Sequence, residues 1–319
     1  MNRFASVLLC LLFAPVLFAS DHADPVVLFG KGPPVESLIT DLFVFPKGDQ
    51  VIVMVNLIRA LKTGPPFKFG PWEYTINFDL HSRVTYENEE DNARYGGTIP
   101  QPELIGPDAT IKLRLNDDTS LKSKTFTGLQ GTDNIRIYTG IRDDPFIFPR
   151  FFGTNVVAMV LSIPKSAFPA NQQDFLIWAT AHQDGKKKQA EHVGRSMRTM
   201  APRLDFLNKL PPREHVAAVQ KMKKDPGFIP GLLMRKFQPL LAIRQFDAVP
   251  DVMIWTTRRP TGYPNGRLLT DDVAKISCDF GECLLYELSF DTPGKWPRRT
   301  TNDKAFLDEF PYLAEPWTF

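Results

Sequence analysis

The chain has few cysteines: three in 319 residues, at positions 10, 278 and 283. It contains no Cys-x-x-Cys and no Cys-x-x-Cys-His sequence, which argues against a thioredoxin-like redox site and against covalently attached haem. Cys278 and Cys283 lie in "SCDFGECL", where four residues that include a glycine separate them. No other nearby cysteine could complete a metal site. In an exported chain, such a pair predicts a small disulfide loop.

The common signatures of catalysis and of nucleic-acid binding are also missing. There is no Gly-x-Ser-x-Gly, no His-Glu-x-x-His and no phosphate-binding glycine-rich loop before a helix. The formal net charge is only +2, so no overall field attracts nucleic acid. The sequence therefore predicts no nucleic-acid partner and identifies no catalytic residue.

Long apolar runs are absent after residue 19, where no stretch approaches the roughly 18 consecutive apolar residues of a membrane span. The first 19 residues carry one cation, Arg3, followed by an apolar run that Pro15 interrupts, a pattern typical of a secretory signal peptide. We predict cleavage after Ala19, a single mature domain that begins at Ser20 and ends at residue 319, and a periplasmic or extracellular location.

Proline and phenylalanine are abundant instead, with 28 and 25 residues. Short apolar runs interrupted by Pro, Gly, Asn and Asp predict a mainly β fold. The run at 109–115 alternates, which predicts one solvent-facing side, whereas 155–164 is apolar throughout, which predicts burial on both faces. Strands are predicted at 39–45, 51–57, 73–80, 109–115, 134–140, 155–164, 174–181 and 251–257.

Helix-forming residues concentrate between about 186 and 244, where Pro211 and Pro212 precede "REHVAAVQKMKK". Thr270, followed by two aspartates, predicts the N-cap of another helix. The acidic segments "ENEEDN" (87–92) and "LNDDTS" (115–120) are interpreted as solvated hairpin tips, and no spaced partner is found for His192 or His215. The predicted fold is a β-sandwich-like core with a helical insertion at about 186–244 and an extended C-terminal tail held by aromatic residues.

The segment "GIRDDPFIFPRFFG" (140–153) places Arg142, Asp143 and Asp144 before a proline that forces Asp144 into an extended conformation. Neighbouring side chains on an extended chain point in different directions, so the two carboxylates are not expected to form a catalytic pair. A structural role is favoured, in which one carboxylate pairs with Arg142 or caps a turn. The alternative is that the other carboxylate faces a ligand.

Seven segments of the chain occur in a recognisable order: "SDHADP", "TDLFVF", "GIRDDPFIF", "NVVAMVLSIPKSAF", "HVGRSM", "YPNGRLLTDDVAKI" and "FLDEFPYLAEP". Together they resemble the exported bacterial family known as DUF4331. The resemblance covers essentially the whole predicted mature chain and implies a shared fold and export, but no reaction. Many relatives carry a glycine-rich acidic loop after the strand that ends here at Asp79, and "LHSRVTYENEED" replaces it in this chain, which speaks against calcium binding there.

The predicted mature start, Ser20-Asp21-His22, has histidine at its third position. The terminal amine, two backbone amides and the imidazole can close a square-planar set of four nitrogens, which suits Cu(II) or Ni(II). Two alternatives stay open: a folded metal site made by His22, Asp24 and Asp41, and a purely structural anchor.

Together these features predict an exported, soluble binding protein with a metal or small-ligand site near its mature N-terminus. The first alternative is an extracytoplasmic metal-dependent hydrolase or oxidoreductase. The second is a structural surface or matrix protein without a site.

Overall fold

A computed structural model describes residues 34–196, 198–199, 204–225, 248–283, 286 and 298–319. Within these ranges the chain is mainly β, as predicted, and contains two antiparallel sheets and three α-helices. No helix in the same ranges is long and apolar enough to cross a membrane.

The first sheet has four strands, which neighbour one another in the order β1-β2-β7-β6. They are β1 (Ile39–Lys47), β2 (Gln50–Leu61), β6 (Arg136–Asp143) and β7 (Asn155–Pro164). The second sheet has the order β10-β8-β3-β4-β5, with β9 also paired to β8. Its strands are β3 (Trp72–Asp79), β4 (Ala109–Leu115), β5 (Leu121–Thr127), β8 (Asp174–Gln183), β9 (Glu191–Val193) and β10 (Met253–Thr256).

The main core lies between the two sheets and contains the inward-facing side chains of both. In β7, Met159 and Leu161 face this core, whereas Ala158 and Val160 belong to a second cluster with Leu313 of the C-terminal tail. The tail therefore covers the outer face of the four-stranded sheet. This explains why β7 is apolar throughout and buried on both faces, as predicted, while β4 buries alternate residues.

All eight predicted runs form strands, but the sequence analysis missed β5 and β9. Strand β5, "LKSKTFT", lies at the edge of its sheet and is mostly exposed. Its sequence therefore lacks the apolar pattern from which a strand is predicted. Strand β9 lies within the predicted helical insertion, which is a correction to that prediction. The described remainder of the insertion contains a 3-10 turn (Asp205–Lys209) and an α-helix (Pro212–Lys224), and residues 226–244 lie outside the described ranges.

The three α-helices are α1 (Glu89–Tyr95), α2 (Pro212–Lys224) and α3 (Val273–Asp279). Helix α1 corrects the interpretation of "ENEEDN" as a hairpin tip; it forms because the Asn88 side chain accepts the backbone N–H groups of the first turn. Helix α3 starts later than predicted, because its N-cap is Asp272 and not Thr270.

Candidate functional site

Four charged side chains form a buried ion cluster, defined here as Asp41, Arg59, Asp144 and Arg267. Arg59 Nε donates to Asp144 Oδ2 at 2.8 Å, and Arg267 Nη1 donates to Asp41 Oδ1 at 3.0 Å. Arg59 Nη2 also pairs with Asp41 Oδ2, and all of these side chains are fully buried. The cluster joins β1, β2, the segment after β6 and the segment after β10, and three of its residues come from segments that carry the family resemblance.

A backbone irregularity in β2 delivers Arg59 to this cluster. Ile58 and Ala60, which flank Arg59, have φ values of 51° and 54°, a left-handed conformation that a β-branched residue such as isoleucine rarely adopts. The pairing of β2 with β7 shifts register over the same stretch, between Leu57 and Leu61. The bulge turns Arg59 inward, where its guanidinium lies 4.5 Å from the ring of Phe146.

Each polar side chain of the predicted loop 142–144 has a protein partner. Arg142 pairs with Glu315, and its Nε donates to the Tyr138 hydroxyl at 2.8 Å. Asp144 belongs to the buried ion cluster and also accepts the backbone N–H of Phe146 at 3.1 Å. These contacts support the structural interpretation of the loop over the ligand-facing one.

Asp143 fastens the C-terminal tail to the sheet. Its carboxylate accepts the Asn302 amide at 2.7 Å and the indole N–H of Trp317. Burial raises the pKa of Asp143 to about 6, although both hydrogen bonds act to lower it. Burial likewise raises the pKa of Asp144 to about 6, against the lowering effect of Arg59. Both carboxyl groups are therefore costly to ionise where they lie.

The residues of the predicted N-terminal metal site, Ser20, Asp21, His22 and Asp24, lie outside the described ranges. Asp41, the remaining member of the alternative site, uses both carboxylate oxygens on arginines. Among the described residues, no group of three or more His, Cys, Asp or Glu side chains is arranged to hold a metal ion. Both metal sites therefore stay predictions.

Cys278 and Cys283 are joined in a disulfide, as predicted, with their Cα atoms 4.0 Å apart. The bond closes the loop that follows α3. Phe280 and Glu282 of this loop face a surface cleft, which we call the Arg195 cleft.

The Arg195 cleft has two lobes that share Tyr95 and Arg195. The empty volumes of the two lobes, including the open space at their mouths, are about 510 Å³ and about 460 Å³. The first lobe is lined by Ala93, Arg94, Tyr95, Arg195, Ser196, Arg198, Tyr263, Ser277, Phe280 and Glu282. The second is lined by Asp91, Tyr95, Gly97, Thr98, Ile99, Pro102, Arg195, Val216, Ala248, Val249, Pro250, Val252 and Ile254.

Backbone geometry places Arg195 between the lobes. A Cβ atom on Gly194 would lie 2.4 Å from the carbonyl oxygen of Asp251, so only glycine lets this loop approach the segment before β10. The Asp251 carboxylate then accepts the backbone N–H groups of Gly194 at 3.0 Å and of Arg195 at 2.8 Å. The loop is therefore held by its backbone, and the Arg195 side chain is left for the cleft.

The Arg195 guanidinium is buried and lies 4.7 Å from the centre of the Tyr95 ring. Among the described residues, it donates one hydrogen bond, to the carbonyl oxygen of Pro250, which is long at 3.3 Å. It forms no ion pair within 4 Å inside the described part of the chain. Burial lowers the pKa of Arg195, and the positive charge of Arg198 lowers it further. The negative charge of Asp251 acts to raise the pKa of Arg195, but Asp251 forms no direct ion pair with the guanidinium. Arginine stays protonated in proteins, so the cleft contains a buried cation without a direct ion pair in the described ranges.

Two buried histidines support the Asp251 segment. His192 Nε2 lies 2.7 Å from the Asp251 carbonyl oxygen, and His215 Nδ1 accepts the Asp251 backbone N–H at 3.1 Å. His215 therefore carries its proton on Nε2, which lies 2.9 Å from the Leu210 carbonyl oxygen. Burial and the neighbouring His192 lower the pKa of His215 to about 3, so its ring is neutral. The fold thus supplies the partners that sequence spacing did not reveal.

Ionised Asp251 completes this support. Burial acts to raise the pKa of its carboxyl group, but the hydrogen bond from His192 and the charges of His192 and Arg195 outweigh burial and hold the pKa well below its usual value. A carboxylate that stays charged is the stronger acceptor for the two loop N–H groups. Asp251 and the histidines are positioning residues for Arg195.

The sequence analysis missed the cleft. Its main residues, Tyr95, Arg195, Tyr263 and Phe280, come from four separate segments, and arginine and tyrosine at such spacing form no motif. The one available signal was "HVGRSM", which contains Gly194 and Arg195 and was noted only as part of the family resemblance.

No protein-family model matches the chain, and no curated protein is significantly similar to it. The resemblance to DUF4331 therefore stays a prediction, and the argument for function depends on the geometry of the site.

Proposed function

We propose that this chain is an exported binding protein whose ligand is a small anion held in the Arg195 cleft. The observation that carries the proposal is Arg195, a residue that is only 4% exposed and yet forms no ion pair in the described ranges. Burying a cation without a direct ion pair is costly even with the Asp251 charge nearby, and a bound anion would offset that cost.

The chemistry of the first lobe fits an anion. A guanidinium offers a planar fork of N–H donors that matches a carboxylate or a phosphate. Arg198 also lines the lobe and donates from Nη2 to the Val249 carbonyl oxygen. Arg94 is paired with Glu90, and Glu282 contributes a negative charge to the lining. Tyr95 supports the Arg195 guanidinium from one side, which fixes its plane before a ligand arrives.

Pre-organisation supports the same conclusion. Because Asp251 holds the Arg195 backbone and Gly194 lets the loop approach closely, little conformational freedom remains to be lost on binding. The Cys278–Cys283 disulfide borders the same lobe, and disulfides persist in oxidising compartments, which supports export.

The Cu(II) or Ni(II) site at Ser20-Asp21-His22 is a separate proposal, supported by the sequence alone. An extracytoplasmic metal-dependent enzyme and a surface protein without a site are the alternatives to a binding protein. Anion binding that survives treatment with a chelator would favour the binding protein over both.

The experiment is a titration of the purified, processed protein with acetate, inorganic phosphate and hexanoate, followed by NMR of the arginine side chains. We expect saturable binding of at least one of these anions. Arg195→Met should weaken it by roughly tenfold to 100-fold, the range for a charged hydrogen bond of about 1.5–3 kcal/mol.

Arg258→Met is the matched control, since Arg258 also stacks on a tyrosine, at 4.9 Å from the Tyr86 ring, but lies outside the cleft. It should leave anion affinity unchanged. Arg195→Lys, which keeps the charge and loses the fork, should give an intermediate affinity. The proposal fails if no anion binds saturably, or if folded Arg195→Met protein binds as well as the wild type.

A further inference from the structure

The second lobe differs from the first in being mainly apolar. Helix α2 contributes Val216 to its wall, strand β10 contributes Ile254 and the residue before it contributes Val252, and the segment after α1 contributes Ile99 and Pro102. Val252 and Ile254 are buried, whereas Ile99 and Val216 are only partly buried, so part of this apolar surface is open to the cavity.

Arg195 and Tyr95 line both lobes, so the cation lies at the junction between the polar and the apolar part of the cleft. A single ligand that contacts Arg195 can therefore extend into the apolar lobe. The one carboxylate among the described residues of that lobe, Asp91, accepts a hydrogen bond from the Thr98 hydroxyl. Its negative charge disfavours a second anionic group on the part of a ligand that enters the lobe.

From this arrangement we infer that the ligand is an amphipathic monoanion: a carboxylate with an apolar chain or ring. The carboxylate pairs with Arg195, and the apolar part fills the lobe formed by Ile99, Val216 and Ile254. This inference rests on the proposed function and specifies its ligand class.

The test compares acetate, butyrate and hexanoate, with hexanamide as the neutral counterpart of hexanoate, by calorimetric or NMR titration of the processed protein. Each buried methylene should raise affinity roughly threefold to fourfold. Hexanoate should therefore bind on the order of 100-fold more tightly than acetate. Hexanamide should bind at least tenfold more weakly than hexanoate, because it has no charge for Arg195.

Val216→Phe tests the position of the apolar part. Val216 is only partly buried, so a larger side chain can be accommodated while it narrows the lobe. We expect hexanoate affinity to fall at least tenfold and acetate affinity to stay within twofold. Ile99→Ser is the second variant, needed if Val216→Phe does not fold, and it should reduce the preference for hexanoate over acetate by at least threefold.

The outcomes separate the two proposals. Equal affinity for acetate and hexanoate, both lost in Arg195→Met, would overturn the ligand class and leave the anion site in place. Hexanamide binding as tightly as hexanoate, or no saturable binding of phosphate or of any of the acids, would overturn the proposed function itself. Binding of phosphate without binding of any of the acids would overturn the ligand class alone. A chain-length effect that is unchanged in both lobe variants would overturn the assignment to the second lobe.

Discussion

Replacing Asp41 with asparagine should destabilise the protein strongly. Asp41 accepts hydrogen bonds from both Arg59 and Arg267, and all three side chains are fully buried. Asparagine has nearly the same shape, but it removes the negative charge and turns an NH2 group toward one of the guanidinium groups. The buried ion cluster, with two arginines and two aspartates, would change from neutral to a net positive charge.

The expected magnitude follows from this burial. Removing one partner of a buried ion pair typically costs about 3–5 kcal/mol, because the remaining charge is left uncompensated in the interior. For a chain of this size, the corresponding fall in melting temperature is on the order of 10 °C. Ile58 and Ala60, the two residues with positive φ beside Arg59, would keep their unfavourable backbone conformation while the contacts of Arg59 that offset its cost become weaker.

Glu73→Gln is the matched control. Glu73 also pairs with two cations, Lys112 at 2.9 Å and Arg114 at 3.2 Å, but on a partly exposed face of the sheet. Its loss should cost under about 1 kcal/mol. The assay is urea unfolding of the wild type and both variants, followed by circular dichroism.

A loss below about 1 kcal/mol in Asp41→Asn, or an equal loss in Glu73→Gln, would refute this account of the cluster. Asp41 was also predicted as a ligand in a metal site with His22 and Asp24. If that site existed and stabilised the fold, chelation of the wild-type protein would reproduce the effect of the substitution. We expect chelation to leave the unfolding curve of the wild type unchanged.

Three further predictions concern pH, redox state and the N-terminus. The pKa of Asp143 is about 6 in the folded protein and near 4 in an unfolded chain, so the free energy of unfolding should fall as pH rises between these values. Asp143→Asn should remove roughly 1–2 kcal/mol of that fall, after allowance for solvent screening. The same dependence of stability on pH in the variant and the wild type would contradict this prediction. Thiol labelling without reductant should leave Cys278 and Cys283 unmodified, and two labelled thiols in native protein would argue against the disulfide. Reduction should weaken anion binding several-fold, because the loop that the disulfide closes lines the first lobe. Mass spectrometry should find a mature chain that begins at Ser20, and one residue added before it should abolish Cu(II) binding in the visible spectrum; a start at residue 21 or later would end the square-planar proposal.

Most strands could be predicted from the sequence because they are buried and therefore consist mainly of apolar residues. The run 155–164 is apolar on both faces, and the run 39–45 carries apolar residues on both faces beside the charged Asp41, which the packing of the C-terminal tail on the outer sheet face explains. Strand β5 was missed because an edge strand with slight burial needs no apolar pattern, and helix α1 was missed because it buries none of its residues. Strand β5 forms because it pairs with β4, and helix α1 forms because Asn88 caps its first turn.

The structural interpretation of the loop at 142–144 followed from a proline and a cluster of phenylalanines that limit where its carboxylates can point, and the observed contacts support it. The partners of its side chains, Asn302, Trp317 and Arg59, lie far away along the chain and could not be named from local patterns. The cleft was beyond prediction for the same reason. Arg195 matters because of its burial and its missing ion pair, and both are properties of the folded state.

The central claim is that the Arg195 cleft binds a small anion, and a crystal structure of the processed protein soaked with 6-bromohexanoate tests it most directly. The bromine can be located by its anomalous scattering. The account predicts a carboxylate within hydrogen-bonding distance of the Arg195 guanidinium, about 2.7–3.2 Å, and bromine density beside Val216 and Ile254. A cleft without the ligand at saturating concentration, or a ligand bound away from Arg195, would contradict it.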